Sequence, residues 1–107
     1  AVLPFLRLGV EYVALSIDGL GLLLASQQEM MLATPPKVSI RNVTGAGDAL
    51  MAGMAYGFAR GMDLREIARL GAAFSAVAVT TVSLASVKNS DVEAMLPRVE
   101  VRTVNVM

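Results

Sequence analysis

Asn42-Val43-Thr44-Gly45-Ala46-Gly47-Asp48 is the stretch on which the reading of this 107-residue chain turns. Upstream, Lys37-Val38-Ser39-Ile40-Arg41 alternates polar and apolar residues and predicts a strand ending near Asn42. Downstream, the residues from Gly47 to Arg60 are small or apolar almost throughout, which predicts a helix buried on every side. The glycine-rich segment is therefore expected to be a strand-to-helix turn. Gly45 and Gly47 give its backbone access to otherwise costly dihedrals and keep side chains out of the way. The amides of Gly45, Ala46 and Gly47 would sit at the positive end of the helix, where phosphate binds readily. The spacing is not that of a P-loop, and its lysine is missing. Asp48 has two readings. An acid in a first helical turn gains about 0.3–1 kcal/mol from the helix dipole alone. Beside a phosphate site, a carboxylate can instead orient an attacking hydroxyl and accept its proton.

Around this turn the remaining elements fall into place. Tyr12 to Ser16, then Gly19 and Gly21, then Leu22 to Ala25 read as strand, tight turn, strand, followed by a polar turn at Gln27-Gln28-Glu29. Pro35-Pro36 marks a connection. Gly53 and Gly57 each weaken the long helix by about 1 kcal/mol relative to alanine, and their spacing on one face suggests close packing against another backbone. Gly61 is a natural stop. Asp63 with Glu66, and Ser90 with Glu93, form capping boxes for two further helices, the first running through Ile67, Leu70, Ala73, Phe74 and Val77, the second ending at Pro97. Val99 to Val106 alternates weakly, as a terminal strand would. The expected order is three strands followed by three helices, an α/β or α+β arrangement with too few strands to cover such apolar helices.

Composition narrows the function classes. The chain is 55% hydrophobic with a formal net charge of zero, and it has no cysteine and no histidine. A nucleic-acid partner is not expected without a basic field. Disulfides and thiolate or imidazole metal sites are excluded. Residues 70–87 are uncharged and long enough to cross a bilayer, yet they hold five hydroxyl residues and continue a capped helix, so a buried helix and no membrane partner is the expectation. The opening Ala1 to Arg7 does not read as a signal peptide but as a chain entered mid-domain. A cytoplasmic location fits the absence of cysteine.

The run Asn42 to Ala49 resembles the C-terminal signature of the PfkB (ribokinase-like) sugar kinases, usually Asp/Asn-Thr-Thr-Gly-Ala-Gly-Asp. Leu8-Gly9-Val10, the turn from Ser16 to Gly21, Pro35-Pro36 and the alanine-rich helix through Ala72, Ala73 and Ala76 fall in that family's order. The resemblance implies an α/β fold, the C-terminal portion of a ribokinase-like three-layer α/β/α architecture, with residues 1–107 its nucleotide-binding part. It implies an ATP-dependent phosphotransferase acting on a sugar or nucleoside hydroxyl. Asp48 would be the catalytic base and the amides of Gly45, Ala46 and Gly47 the anion hole. Ser16, Gly19 and Gly21 would lie along the ATP phosphates, with Asn42 and Thr44 in the nucleotide site. Ala73, Ala76 and the loop after them would flank adenine and in some members help hold a monovalent cation. Most Mg2+ ligands would belong to an N-terminal half not found here, so the expected partners are that half or a second copy, and the isolated chain is expected to be inactive.

Two positions depart from the pattern. Asp18 stands where the family has the first glycine of its ATP turn, and can either repel phosphate or cap the turn. Val43 replaces a threonine. Ser83 to Asn89 faintly resembles pseudouridine kinase-like members. The competing expectation is a non-catalytic remnant that binds nucleotide or packs against a partner.

Overall fold

The computed structural model describes residues 2–17, 21–41, 43–81 and 87–105. Its elements run α1 (Leu3–Arg7), β1 (Val13–Ile17), β2 (Gly21–Ala25), β3 (Met30–Thr34), α2 (Ala46–Ala59), α3 (Leu64–Val79), α4 (Asn89–Met95) with a 3-10 turn over Leu96–Arg98, and β4 (Glu100–Thr103). The four strands form one sheet in the order β1-β2-β3-β4, each pair antiparallel. Strand β4 returns after three helices to pair with β3, with Met31 opposite Thr103.

The two strands read on either side of Gly19 are present, with Val13 paired to Ala25 and Ile17 to Gly21, which places Gly21 in β2; the expected turn at Gly19 lies outside the described residues. Beyond it the structure corrects the sequence. Met30–Thr34 is a strand that the reading passed over. Lys37 to Arg41 is not a strand. Both edges of β3, the strand it follows, are already taken by β2 and β4, so this segment cannot pair back onto its predecessor. Instead it leaves the sheet after the prolines and crosses the end of α3, where the Arg41 amide donates to the Val79 carbonyl at 2.7 Å. The opening residues contain the short helix α1, started by Pro4 in its first turn.

Because side chains alternate across a strand, Leu22, Leu24, Met31 and Ala33 share one sheet face. They are buried against α2 and α3 in the main core, together with Leu50, Met54, Ile67, Ala72, Ala73 and Ala76. The other face carries Leu15, Leu23 and Ile17; a second, smaller cluster around Val2, Leu6, Ala25 and Met30 joins it to α1. Leu15 and Ile17 remain exposed.

Helix α3 is buried along most of its length but ends at Val79, short of the buried helix expected over residues 70–87; Thr80, Thr81 and Val87 are not helical, and residues 82–86 lie outside the described residues. Among the described residues, no helix is long and apolar enough to cross a membrane. Helix α2 is not buried on every side. Ala49, Leu50, Gly53, Met54 and Gly57 face the core, while Met51, Tyr56 and Phe58 are exposed. The close approach expected of its glycines is present. A Cβ at Gly53 would lie 2.6 Å from the Leu70 carbonyl oxygen, and one at Gly57 would lie 2.9 Å from Ile67 Cγ1.

Helix boundaries follow local chemistry in part. Gly61 ends the α2 segment at φ 67°, the left-handed region. Asp63 caps α3 by accepting from the Glu66 amide at 2.9 Å. Glu66 does not complete the box, because its carboxylate pairs with Arg69 one turn on. The second box is absent. Helix α4 starts at Asn89 with Lys88 at its cap position and no side-chain cap, which places Ser90 inside the helix. Pro97 falls within the 3-10 turn that follows.

Candidate active site

The signature turn feeds directly into α2. Gly45 is the cap residue, held at φ 88°, where any side chain would be strained. Its carbonyl accepts from the Ala49 amide at 2.9 Å, closing the first helical bond. Of the three amides expected to face an anion, that of Ala46 instead donates to the Val43 carbonyl at 3.2 Å and closes the turn. Gly47 and Asp48 occupy the second and third helical positions, whose amides have no acceptor within the helix. An ideal Cβ at Gly47 would meet nothing within 4 Å, so the helix end is open to an incoming group. Thr44 is exposed within the turn. Asn42 lies outside the described residues.

The sheet register brings the β1–β2 hairpin over this helix end. Ser16 pairs with Leu22 and so shares the face that packs on α2. Ser16, Ala14, Gly47, Asp48 and Met51 line one cleft of about 450 Å3. Ser16, Gly21, Ala46, Gly47 and Ser75 line another, of about 260 Å3. Leu50, Ser16 and Gly47 border both, which makes them neighbouring lobes of one concavity. Two segments 30 residues apart in the chain thus converge, and they bring Ser16, Gly21, Ala46, Gly47 and Asp48 to one concavity. Gly19, and with it Asp18, lies outside the described residues.

Ala73 and Ala76 do not join the concavity. Both are 0% exposed inside the main core, so their side chains make no contact with a ligand. Their smallness serves the packing of α3 on the sheet. Ser75, between them in sequence, is the α3 residue that reaches the cleft, and Met51 is the exposed residue one turn beyond Asp48. Neither was picked out from sequence. A hydroxyl within the apolar stretch from Leu70 to Val79 was the available signal for Ser75. A larger depression of about 610 Å3, between residues 37–39, the end of α3 and α4, contains Lys37 and Arg98 but none of the signature residues.

The donor set suits a phosphate chain: helix-terminal amides, the Ser16 hydroxyl and glycine-bared backbone, with the Asp48 carboxylate at the border. Among the described residues, no group of three or more His, Cys, Asp or Glu could hold a metal ion. The described residues therefore do not by themselves build a Mg2+ site.

Residues 1–91 match the family described as pfkB family carbohydrate kinase. A 1-phosphofructokinase of Rhodobacter capsulatus is 45% identical over 67 residues, covering 63% of this chain and 21% of that protein. A Staphylococcus aureus structure described as a phosphofructokinase superposes with a TM-score of 0.88 at 20% identity, over 95% of this chain and 33% of that one. Phosphofructokinase-2 of Escherichia coli, solved in complex with potassium, superposes with a TM-score of 0.75 at 23% identity, over 81% of this chain and 28% of its own. The chain thus spans between a fifth and a third of the length of these relatives, and the fold class is the ribokinase-like α/β one that the signature implied. With the signature turn, the hairpin over it and the family match in agreement, the chain belongs to the pfkB family of carbohydrate kinases.

Proposed function

We propose that this chain is the C-terminal, ATP-binding and catalytic-base part of a cytoplasmic ATP-dependent sugar kinase, and that its acceptor is a phosphorylated hexose. The observation that carries the reading is the placement of Asp48 in the first turn of α2, on the same cleft as Ser16 of the β1–β2 hairpin. The name 1-phosphofructokinase, borne by relatives of several bacteria, favours a phosphosugar over a nucleoside. The pseudouridine kinase-like resemblance rests on Ser83 to Asn89, which lies mostly outside the described residues.

In the proposed reaction, the acceptor hydroxyl approaches Asp48 and loses its proton to that carboxylate. Its oxygen forms a bond to the γ-phosphorus as the bond from that phosphorus to the β,γ-bridging oxygen breaks, and ADP leaves. The Gly47 and Asp48 amides stabilise the charge spread over the transferring group. The Ser16 hydroxyl donates to the phosphate chain. Bound Mg2+ would neutralise phosphate charge, with ligands from the nucleotide and from the rest of the protein. A monovalent cation belongs to the proposal because one structural neighbour was solved with potassium.

The test uses the full-length protein, ATP, and fructose 1-phosphate, fructose 6-phosphate, ribose and pseudouridine as acceptors. ADP formation with a phosphohexose, lost on Asp48→Asn, supports the reading. Nucleotide binding without transfer to any acceptor would instead favour a non-catalytic remnant.

A further inference from the structure

Ser75 is one of two buried polar residues in the described chain, 3% exposed, in the buried C-terminal half of α3. A serine in such a place ordinarily satisfies its hydroxyl by bonding back to a carbonyl of the preceding turn. Two residues at the end of the same helix do this. Thr80 Oγ1 donates to the Val77 carbonyl at 2.7 Å, and Thr81 Oγ1 to the Ala78 carbonyl at 2.8 Å. Ser75 makes no such bond among the described residues. It lines instead the 260 Å3 lobe between the β1–β2 hairpin and the N-terminus of α2, together with Ser16 and Gly47. Among the described residues no carboxylate lines this lobe; Asp48 lines the neighbouring one. Among the described residues no fully buried side-chain polar atom lacks a partner, so the unbonded Ser75 hydroxyl is not sealed in the core but opens onto the lobe, where water or a ligand can satisfy it. Here it faces the same space as a helix-terminal amide and a second hydroxyl, all three of them hydrogen-bond donors.

We propose that Ser75 is a positioning residue for the phosphoryl donor, its hydroxyl donating to an oxygen of the nucleotide's phosphate chain from the floor of the cleft. The proposal rests on the kinase reading above and adds to it a residue from a third element, α3. It makes the donor site a three-sided cradle of hairpin, helix end and buried hydroxyl.

The experiment compares the full-length wild type with Ser75→Ala and Ser75→Cys, titrated with ATP, tripolyphosphate and adenosine. Each protein is also assayed for kcat and for the KM of ATP and of the sugar. Alanine removes the donor, and cysteine keeps most of the volume with a weak one. Both variants should weaken ATP and tripolyphosphate binding roughly threefold to tenfold, the loss of one net hydrogen bond. The KM of ATP should rise accordingly, with sugar KM and adenosine binding unchanged and melting temperature not lowered. If Ser75→Ala binds ATP within a factor of two of wild type, or if only adenosine binding falls, the proposal is overturned. It is overturned too if cysteine matches wild type while alanine does not, because volume would then be the cause. Those outcomes leave the kinase reading standing. A wild type that neither binds nor transfers phosphate would remove both.

Discussion

A side chain at Gly53 would collide with the backbone of α3, because an ideal Cβ there lies 2.6 Å from the Leu70 carbonyl oxygen and 2.9 Å from Phe74 Cδ2. The glycine is what lets α2 and α3 approach closely enough to present Gly47 and Asp48 against the hairpin. Alanine is favoured over glycine by about 1 kcal/mol within a helix. Overpacking costs about 1–3 kcal/mol, and a carbonyl in the middle of a helix yields little. Gly53→Ala should therefore destabilise the full-length protein by about 1–2 kcal/mol despite its better propensity, as read from urea unfolding midpoints. An increase in stability would show that α3 shifts freely, and the close contact would lose its importance.

The two proposed capping boxes separate cleanly. Asp63 accepts from the Glu66 amide, whereas α4 has no side-chain cap and holds Ser90 within it. Asp63→Ala should cost about 1 kcal/mol. Ser90→Ala should change stability by less than about 0.5 kcal/mol, the range of ordinary surface substitutions. Equal losses in thermal melts of the two variants would mean that Ser90 caps α4 after all.

Asp48 is exposed on the cleft and stands in the first turn of α2. If it is the general base, Asp48→Asn should lower kcat by a factor of about 100 to 10,000 while ATP affinity stays close to wild type. Asparagine keeps the shape and removes the proton acceptor. Turnover above about a third of wild type would rule out that role.

The surface of the isolated chain predicts association. Leu15 is 41% and Ile17 39% exposed on the outer face of the edge strand β1, and Met51 is 65% exposed on α2. An unpaired edge beside apolar side chains is a template for pairing with another chain. The 107-residue chain alone should scatter light as an oligomer or aggregate and show no kinase activity. Leu15→Lys should reduce that association. A monodisperse monomer with a cooperative thermal transition would contradict the expectation.

Much of this protein was decided by residues close together in sequence. The hairpin of β1 and β2 follows from two apolar runs around a glycine turn. The cap at Asp63, the stop at Gly61 and the tight turn at Gly45 follow from side-chain and backbone chemistry within four residues. The run Gly45 to Asp48 sufficed to suggest an anion site at a helix end and, through its resemblance, a kinase family. The tertiary structure decided the rest. Lys37 to Arg41 has a strand's pattern but no strand: β4, some 70 residues distant in the chain, takes the place beside β3, and the segment bonds instead to the end of α3 through the Arg41 amide. The buried face of α2 could not be read from a sequence apolar all round, since burial there depends on which side meets α3. Ala73, Ala76 and Ser75 stand almost together in the chain. Rotation about the helix axis alone sends the first two into the core and the third to the cleft, and that rotation is fixed by packing against the sheet.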